Sequence, residues 1–199
     1  MSSVSNMAGR PKIFDEQLAL EKAANLFWKN GYGATSTEDL IIAMGLQRGS
    51  FYNTFGSKKE LFINAINYHE TSSFNEFKKQ LAMSKTPIIV LKAAFLGLAD
   101  CPKDEHKMGC FAGNTIAEFS SIDDELVENA SKHLKYLEEI FFKQIKSSQQ
   151  ARELKTKKDA RLLAKYLLNL WNGLNITRRV YPDRKLLRSL IEFQLEVIN

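Results

Sequence analysis

Residues 36–55 read STEDLIIAMGLQRGSFYNTF, and the fold of the whole chain turns on them. Ser36 can cap a helix on which Thr37, Leu40, Ile41 and Met44 keep the i, i+3, i+4, i+7 spacing of one buried face, and Gly45 stops it. Gly45-Leu46-Gln47 makes a tight turn, and a second short helix follows from about Arg48 to Phe55. Two short helices joined by a glycine turn are the arrangement that lays the second helix in a DNA major groove.

The residue types of the second helix suit that placement. Gly49 and Ser50 lack bulk, so the helix can lie against a groove wall. Gln47, Arg48, Ser50 and Asn53 offer hydrogen-bonding groups to base edges or phosphates. Gln47 can equally be a plain turn residue. Phe51 and Phe55, four apart, face inward and fix the helix on its support, while Tyr52 can present its hydroxyl to a phosphate. Ser36 and Thr37 stand at the start of the first helix and belong to the same candidate surface. Lys58 opens the next helix, whose free N–H groups and dipole favour an anion.

Working outward, an earlier helix starts with Asp15 as N-cap, carries Leu20, Ala23, Ala24 and Phe27 on one face, and stops at Asn30-Gly31. Downstream, SKKELF begins a fourth helix with Ser57 and Glu60 spaced as a capping box. Together with AANLFWKNGYGATS at residues 23–36, this region resembles the DNA-binding domain of the TetR family of bacterial transcriptional regulators. The resemblance covers about residues 12–65 and rests on a combination: the apolar pair before a G-x-x-x-T step, the G-L turn, the F-Y then F aromatics and the S-K-x-x-L-F exit. It implies a three-helix head joined by a longer fourth helix to a helical body, and repression relieved by a small molecule. This chain departs from many such domains in having Gln47 where a Ser or Thr would cap the recognition helix. In the body the likeness is a loose M-G-C-F-x-x-N-T-x-x-E stretch, Met108 to Glu118, and it transfers no ligand residues.

The rest of the chain reads as all-helical, with about nine helices in total and no sustained two-residue alternation that would mark a strand. Thr86-Pro87 caps a helix that reaches about Asp100. A shorter helix spans Gly113 to Phe119, and Asp123 opens a long one striped by Leu126, Ala130, Leu134, Leu137, Phe141 and Ile145. SSQQARELKTKK, residues 147–158, links it to a final pair, about Asp159 to Tyr181 and Asp183 to Ile198, hinged at Tyr181-Pro182. Leu163, Leu167, Leu170 and Leu174 line the first of these, and Leu186, Leu187, Leu190, Ile191, Phe193, Leu195 and Ile198 cover most of the second. That apolar surface is wider than one packed face needs; it either closes inside the monomer or, the favoured reading, pairs with a second subunit in a four-helix bundle. The expected division is a basic arm at 1–12, a helix-turn-helix domain at 13–70 and a regulatory and dimerisation domain at 71–199.

Bulk properties bound the function. Of 199 residues, 44% are hydrophobic and 26% charged, an ordinary globular balance. No apolar run approaches the roughly 18 residues of a bilayer span, and MSSVSNMAGRPK lacks the apolar core of a signal peptide, so a cytoplasmic protein without a membrane partner is expected. The net charge is +5, yet residues 1–70 carry seven basic and seven acidic side chains, so the excess lies wholly in the body. What matters in the head is position. Arg10 and Lys12 in the arm are either a solvated tail or a minor-groove reader.

No nucleotide-binding, serine-hydrolase or zinc-protease motif is present, and GYGATS lacks the third glycine of a dinucleotide fingerprint, so neither an enzyme nor a cofactor is expected. Cys101 and Cys110 lack metal-ligand spacing with His69, His106 or His133. Cys110, near a helix N-terminus and Lys107, is either an inert buried thiol or an activated one that senses oxidants or electrophiles, with Cys101 as a possible second thiol. Phe111, Asn114, Phe119, Phe142, Tyr166 and Trp171 are candidates for an effector pocket, or plain core. The reading is a homodimer on a palindromic operator, half-sites about 34 Å apart, released when an unidentified small molecule shifts the spacing of the two heads. The rival is a helical adaptor whose head makes protein contacts.

Overall fold

The computed structural model describes residues 14–199, and every one of its regular elements is helical. The arm with Arg10 and Lys12 lies outside the described residues. Ten α-helices, against about nine expected, are followed by a single 3-10 turn at Glu196–Ile198. They are α1 (Glu16–Asn30), α2 (Thr37–Met44), α3 (Arg48–Phe55), α4 (Lys58–Met83), α5 (Pro87–Asp100), α6 (Lys103–Met108), α7 (Phe111–Phe119), α8 (Asp124–Gln150), α9 (Ala160–Val180) and α10 (Arg184–Leu195).

Local chemistry starts most of them. The Asp15 carboxylate accepts from the N–H groups of Gln17 and Leu18 at 2.9 and 3.2 Å. Asp123, Asp159 and Asp183 cap α8, α9 and α10 in the same way, each accepting from the N–H three residues on. A full capping box forms at Ser36 and Asp39. At Ser57 the structure shows the Ser57 hydroxyl accepting from the Glu60 N–H at 3.1 Å, half of the box that the spacing predicted. Thr86 makes no side-chain cap; Pro87 at the first position and the Thr86 carbonyl start α5.

Two further expectations are corrected. The stretch at 147–158 is not all linker, because α8 continues through Gln150. The remainder is pinned: Leu154 is buried, and the Gln149 amide donates to the carbonyls of Thr156 and Lys158. Between α5 and α7, a one-and-a-half-turn helix, α6, follows Pro102; six residues carry too little periodicity to announce it.

Packing divides into two apolar clusters. One lies among α5, α8, α9 and α10 and includes Leu91, Phe95, Phe141, Leu167 and Ile191. The other joins α1–α4 to α7 and the first half of α8: Phe27, Phe51, Leu61 and Phe62 share it with Phe111, Phe119 and Leu126. Phe62 is its hub, edge-on to Phe27 at 4.9 Å and to Phe111 at 5.6 Å. The first three helices therefore complete their core only against α7. Helix α4 runs without interruption across residue 70.

On the last two helices the apolar residues divide between the core and the surface. Leu163, Leu167, Leu174, Leu187 and Ile191 are buried, while Leu162, Ile176, Val180, Leu186 and Phe193 stay exposed, Phe193 at 71%.

Candidate nucleic-acid interface and regulatory cavity

The turn between α2 and α3 is built as read. Gly45 adopts φ 70°, ψ 34°, a left-handed conformation that a side chain would strain, and Leu46 N–H returns to the Ile41 carbonyl at 3.0 Å. Gln47 is extended, at φ −87°, ψ 151°, and starts α3 through its carbonyl, which accepts from Phe51 N–H at 3.0 Å; its side chain makes no cap and stays exposed. Phe51 and Phe55 are buried and anchor α3. Arg48, Gly49, Tyr52 and Asn53 are exposed and Ser50 is half-buried, so one helix presents all five outward from a fixed base. Nothing lies within 4 Å of where a Gly49 Cβ would stand. Tyr52 leans its ring on Phe51 at 5.1 Å, which leaves the hydroxyl end free. The Arg48 guanidinium pairs with Glu38 of α2, and both are well exposed. Ser36 is occupied by its capping box, and Thr37 is half-buried beside it.

Lys58 holds the first position of α4, but its ammonium lies 4.0 Å above the Tyr32 ring, and burial there lowers its proton affinity. It covers the α1–α2 turn instead of waiting beside an open helix end. Its neighbour Lys59, which the sequence did not single out, binds Asp123 and Glu125 at 2.7 Å each. Glu118 of α7 accepts from the backbone N–H groups of Tyr32 and Gly33 at 3.3 and 2.9 Å. Trp28 Nε1 donates to the Gly109 carbonyl at 3.2 Å, and Arg178 Nη2 of α9 donates to the same oxygen at 2.9 Å. These polar straps tie α1, the α1–α2 turn and the start of α4 to the rest.

Behind those straps is a cavity of about 360 Å³ among α1, α4, α5, α7, α8 and α9. Its wall is apolar, with Trp28, Phe74, Phe111, Phe141 and Trp171 prominent, and a few polar groups converge on it: His69, Glu70, Cys101, Cys110 and Arg178. Burial pushes the Glu70 carboxyl up to about 7, a hydrogen bond from Ala112 N–H offsetting part of the effect. His69 is shifted down, also by burial.

Of the two readings of Cys110, the structure fits the inert buried thiol and not the activated one. Burial, with the Glu70 carboxylate adding to it, pushes the thiol up to about 11, more than the Gly113 N–H at 3.4 Å offsets. Of the six expected pocket residues, Phe111 and Trp171 border this cavity. Asn114 borders an adjoining outer cleft, where it donates to the Met108 carbonyl at 2.7 Å and accepts from Arg179 at 2.5 Å. Phe119 stands 5.3 Å from Tyr32 in the aromatic cluster, Phe142 lies under the Arg161 guanidinium at 3.5 Å, and the Tyr166 hydroxyl donates to the Gln194 carbonyl at 2.9 Å. These last three are packing residues. Glu70, Arg178 and Trp28 were missed because α4, α9 and α1 bring them together from distant parts of the chain.

An anchored, outward-facing second helix after a glycine turn, on a body that encloses a cavity, defines a helix-turn-helix transcriptional regulator. Two family models match: the one described as bacterial regulatory proteins, tetR family, over residues 19–65, and the tetracyclin repressor-like C-terminal domain over residues 90–193. The chain belongs to the TetR family. It is 31% identical over 179 residues to the transcriptional repressor ComR of Escherichia coli, covering 88% of this chain and 85% of that one. It is 27% identical over 193 residues to the HTH-type transcriptional regulator YezE of Bacillus subtilis, covering 96% of this chain and all of the other. Among solved structures, a cysteine mutant of the TetR family regulator CifR complexed with 26-bp operator DNA superimposes with a TM-score of 0.79 at 21% identity, over 96% of this chain and 100% of that one. No helix among the described residues is long and apolar enough to cross a membrane.

Proposed function

We propose that this regulator is a repressor that binds a palindromic operator as a homodimer and is released when a small molecule occupies the 360 Å³ cavity. The observation that carries the reading is α3 itself: Phe51 and Phe55 fix it, and Arg48, Gly49, Ser50, Tyr52 and Asn53 are turned outward on it. Gln47 joins this surface at the turn, Ser36 and Thr37 flank it from α2, and the arm with Arg10 and Lys12 adds a minor-groove contact. Residues 13–70 act as the reading unit and 71–199 as the regulatory and dimerising unit, in the cytoplasm where the chromosome is.

A second subunit is supported by Leu162, Ile176, Val180, Leu186 and Phe193 on α9 and α10, an apolar set left exposed among the described residues. Release by a cavity ligand is supported by the Trp28 strap, since Trp28 lines the cavity and also belongs to α1. A ligand that prefers one position of α1 changes the spacing of the two heads.

The test is fluorescence anisotropy of labelled DNA from beside the gene, against unrelated duplex at two salt concentrations, with wild type and Tyr52→Ala. Tyr52 is exposed, so the variant keeps the fold. Preference for the cognate DNA of about a thousandfold, a steep loss with salt, and a marked loss in the variant are expected. Binding indifferent to sequence, salt and the substitution would return the adaptor reading.

A further inference from the structure

Beside the inner cavity a surface cleft of about 600 Å³ opens between the end of α5, α6 and the α9–α10 hinge, and the two spaces share one lining residue, Cys101. A small molecule that enters the cleft therefore meets the Cys101 sulfur at the boundary of the cavity.

The surroundings of that sulfur are specific. Arg178 Nη1 donates to it at 3.4 Å, and the His106 ring nitrogens stand 3.7 and 3.9 Å away. Arg178 is nine-tenths buried and uses Nη2 on the Gly109 carbonyl, but its Nε is buried without any hydrogen-bond partner. A buried N–H with no acceptor is costly, and a ligand oxygen in the cavity would satisfy it. His106 is itself buried; the burial and the Arg178 charge both lower its proton affinity, so the ring is neutral and can take a proton.

We propose that Cys101, Arg178 and His106 form an addition site for compact α,β-unsaturated carbonyl compounds, and that the adduct is a signal that releases the operator. The release rests on the repressor reading above; the addition does not. In the step, His106 takes the thiol proton and the sulfur attacks the β-carbon of the alkene. The S–C bond forms as the C=C π pair moves toward the carbonyl, and the resulting enolate oxygen accepts from Arg178 Nε–H. His106 then returns the proton to the α-carbon, so atoms and electrons balance with no oxidant or reductant. Cys110 lacks this equipment: its thiol is held up at about 11, with the Glu70 carboxyl as a neighbour. The adduct puts new bulk against Arg178, whose Nη2 holds the Gly109 carbonyl that Trp28 of α1 also uses, and so reaches the strap that positions the reading head.

The experiment treats the full-length protein with but-3-en-2-one, with butan-2-one as the unreactive control, and reads both the modified residue by peptide mass mapping and operator binding by anisotropy. Cys101 is expected to be alkylated about tenfold or more faster in the folded protein than in urea. Operator affinity should fall by about tenfold or more on modification, in wild type and Cys110→Ser but not in Cys101→Ser. Arg178→Met should slow the addition by about tenfold; the comparison of folded with urea-unfolded wild type stands even if that variant does not fold. Labelling of Cys110 first, equal rates in folded and unfolded protein, or full modification of Cys101 with the operator still bound would overturn the proposal. Unmodified protein that ignores DNA would instead sink the repressor reading, and mass mapping would still judge the addition site.

Discussion

Gly49 separates what a residue does for the fold from what it does for a partner. It sits in the first turn of α3 with open space around its absent side chain, so an added methyl meets nothing in the protein. Alanine is the better helix former, and Gly49→Ala should raise stability by up to about 1 kcal/mol. If α3 lies against a groove wall, the same methyl stands between helix and DNA. A higher melting temperature together with a weaker operator complex is the expected pair of results; a rise in both would place Gly49 off the contact surface. The exposed Arg48–Glu38 pair tells a similar story. Such pairs contribute little to stability, so on the proposed reading the effect of Glu38 falls on DNA binding, where phosphates compete with it for the guanidinium. Replacing Glu38 with Gln should leave the melting temperature nearly unchanged and tighten DNA binding at low salt, measured by anisotropy.

At the scale of elements, the head was legible because its determinants are local. Ser36 with Asp39, Gly45 in its left-handed turn, and Phe51 with Phe55 each act within a few residues, where spacing maps directly onto geometry. The cavity was not, because its polar groups converge through tertiary packing. Gly109 and Arg178 are 69 residues apart and Trp28 is 81 from Gly109. Cys110 shows the limit most sharply: a helix N-terminus and a nearby lysine are visible in sequence, whereas the burial and the Glu70 neighbour that decide for the inert thiol are not. The same long-range character marks the straps. Lys59 reaches both carboxylates at the start of α8, and Glu118 holds the α1–α2 turn. Glu118→Ala leaves two backbone N–H groups to water, so a modest destabilisation of about 1 kcal/mol is expected. The larger effect should be on coupling, with operator binding largely retained but release by effector weakened. Equal release in wild type and variant would show that the signal passes elsewhere.

For the whole molecule, the consequential feature is that the reading head and the body share one core and that a titratable group sits at their junction. Glu70 of α4 is buried beside the cavity, accepts from the Ala112 N–H, stands near enough to Cys110 to raise that thiol, and is flanked by His69 on its own helix, while Arg178 lines the same cavity without pairing with it. Its carboxyl is raised from 4.5 to about 7, so between those values the folded state holds a proton that the unfolded chain has lost. Stability from this group therefore falls as pH rises through that window, by on the order of 3 kcal/mol. His69, His106 and His133 are shifted down by burial and work in the opposite sense, adding stability as pH rises toward 6.5. Those histidine contributions are common to wild type and Glu70→Gln and cancel in the difference between them. The variant should then melt close to wild type near pH 5 and progressively above it toward pH 8, because only the wild type must place an unpaired charge in the wall of the cavity. A difference that stays flat across that range would mean that Glu70 keeps its ordinary acidity. The cavity would then present a full negative charge to any ligand at neutral pH.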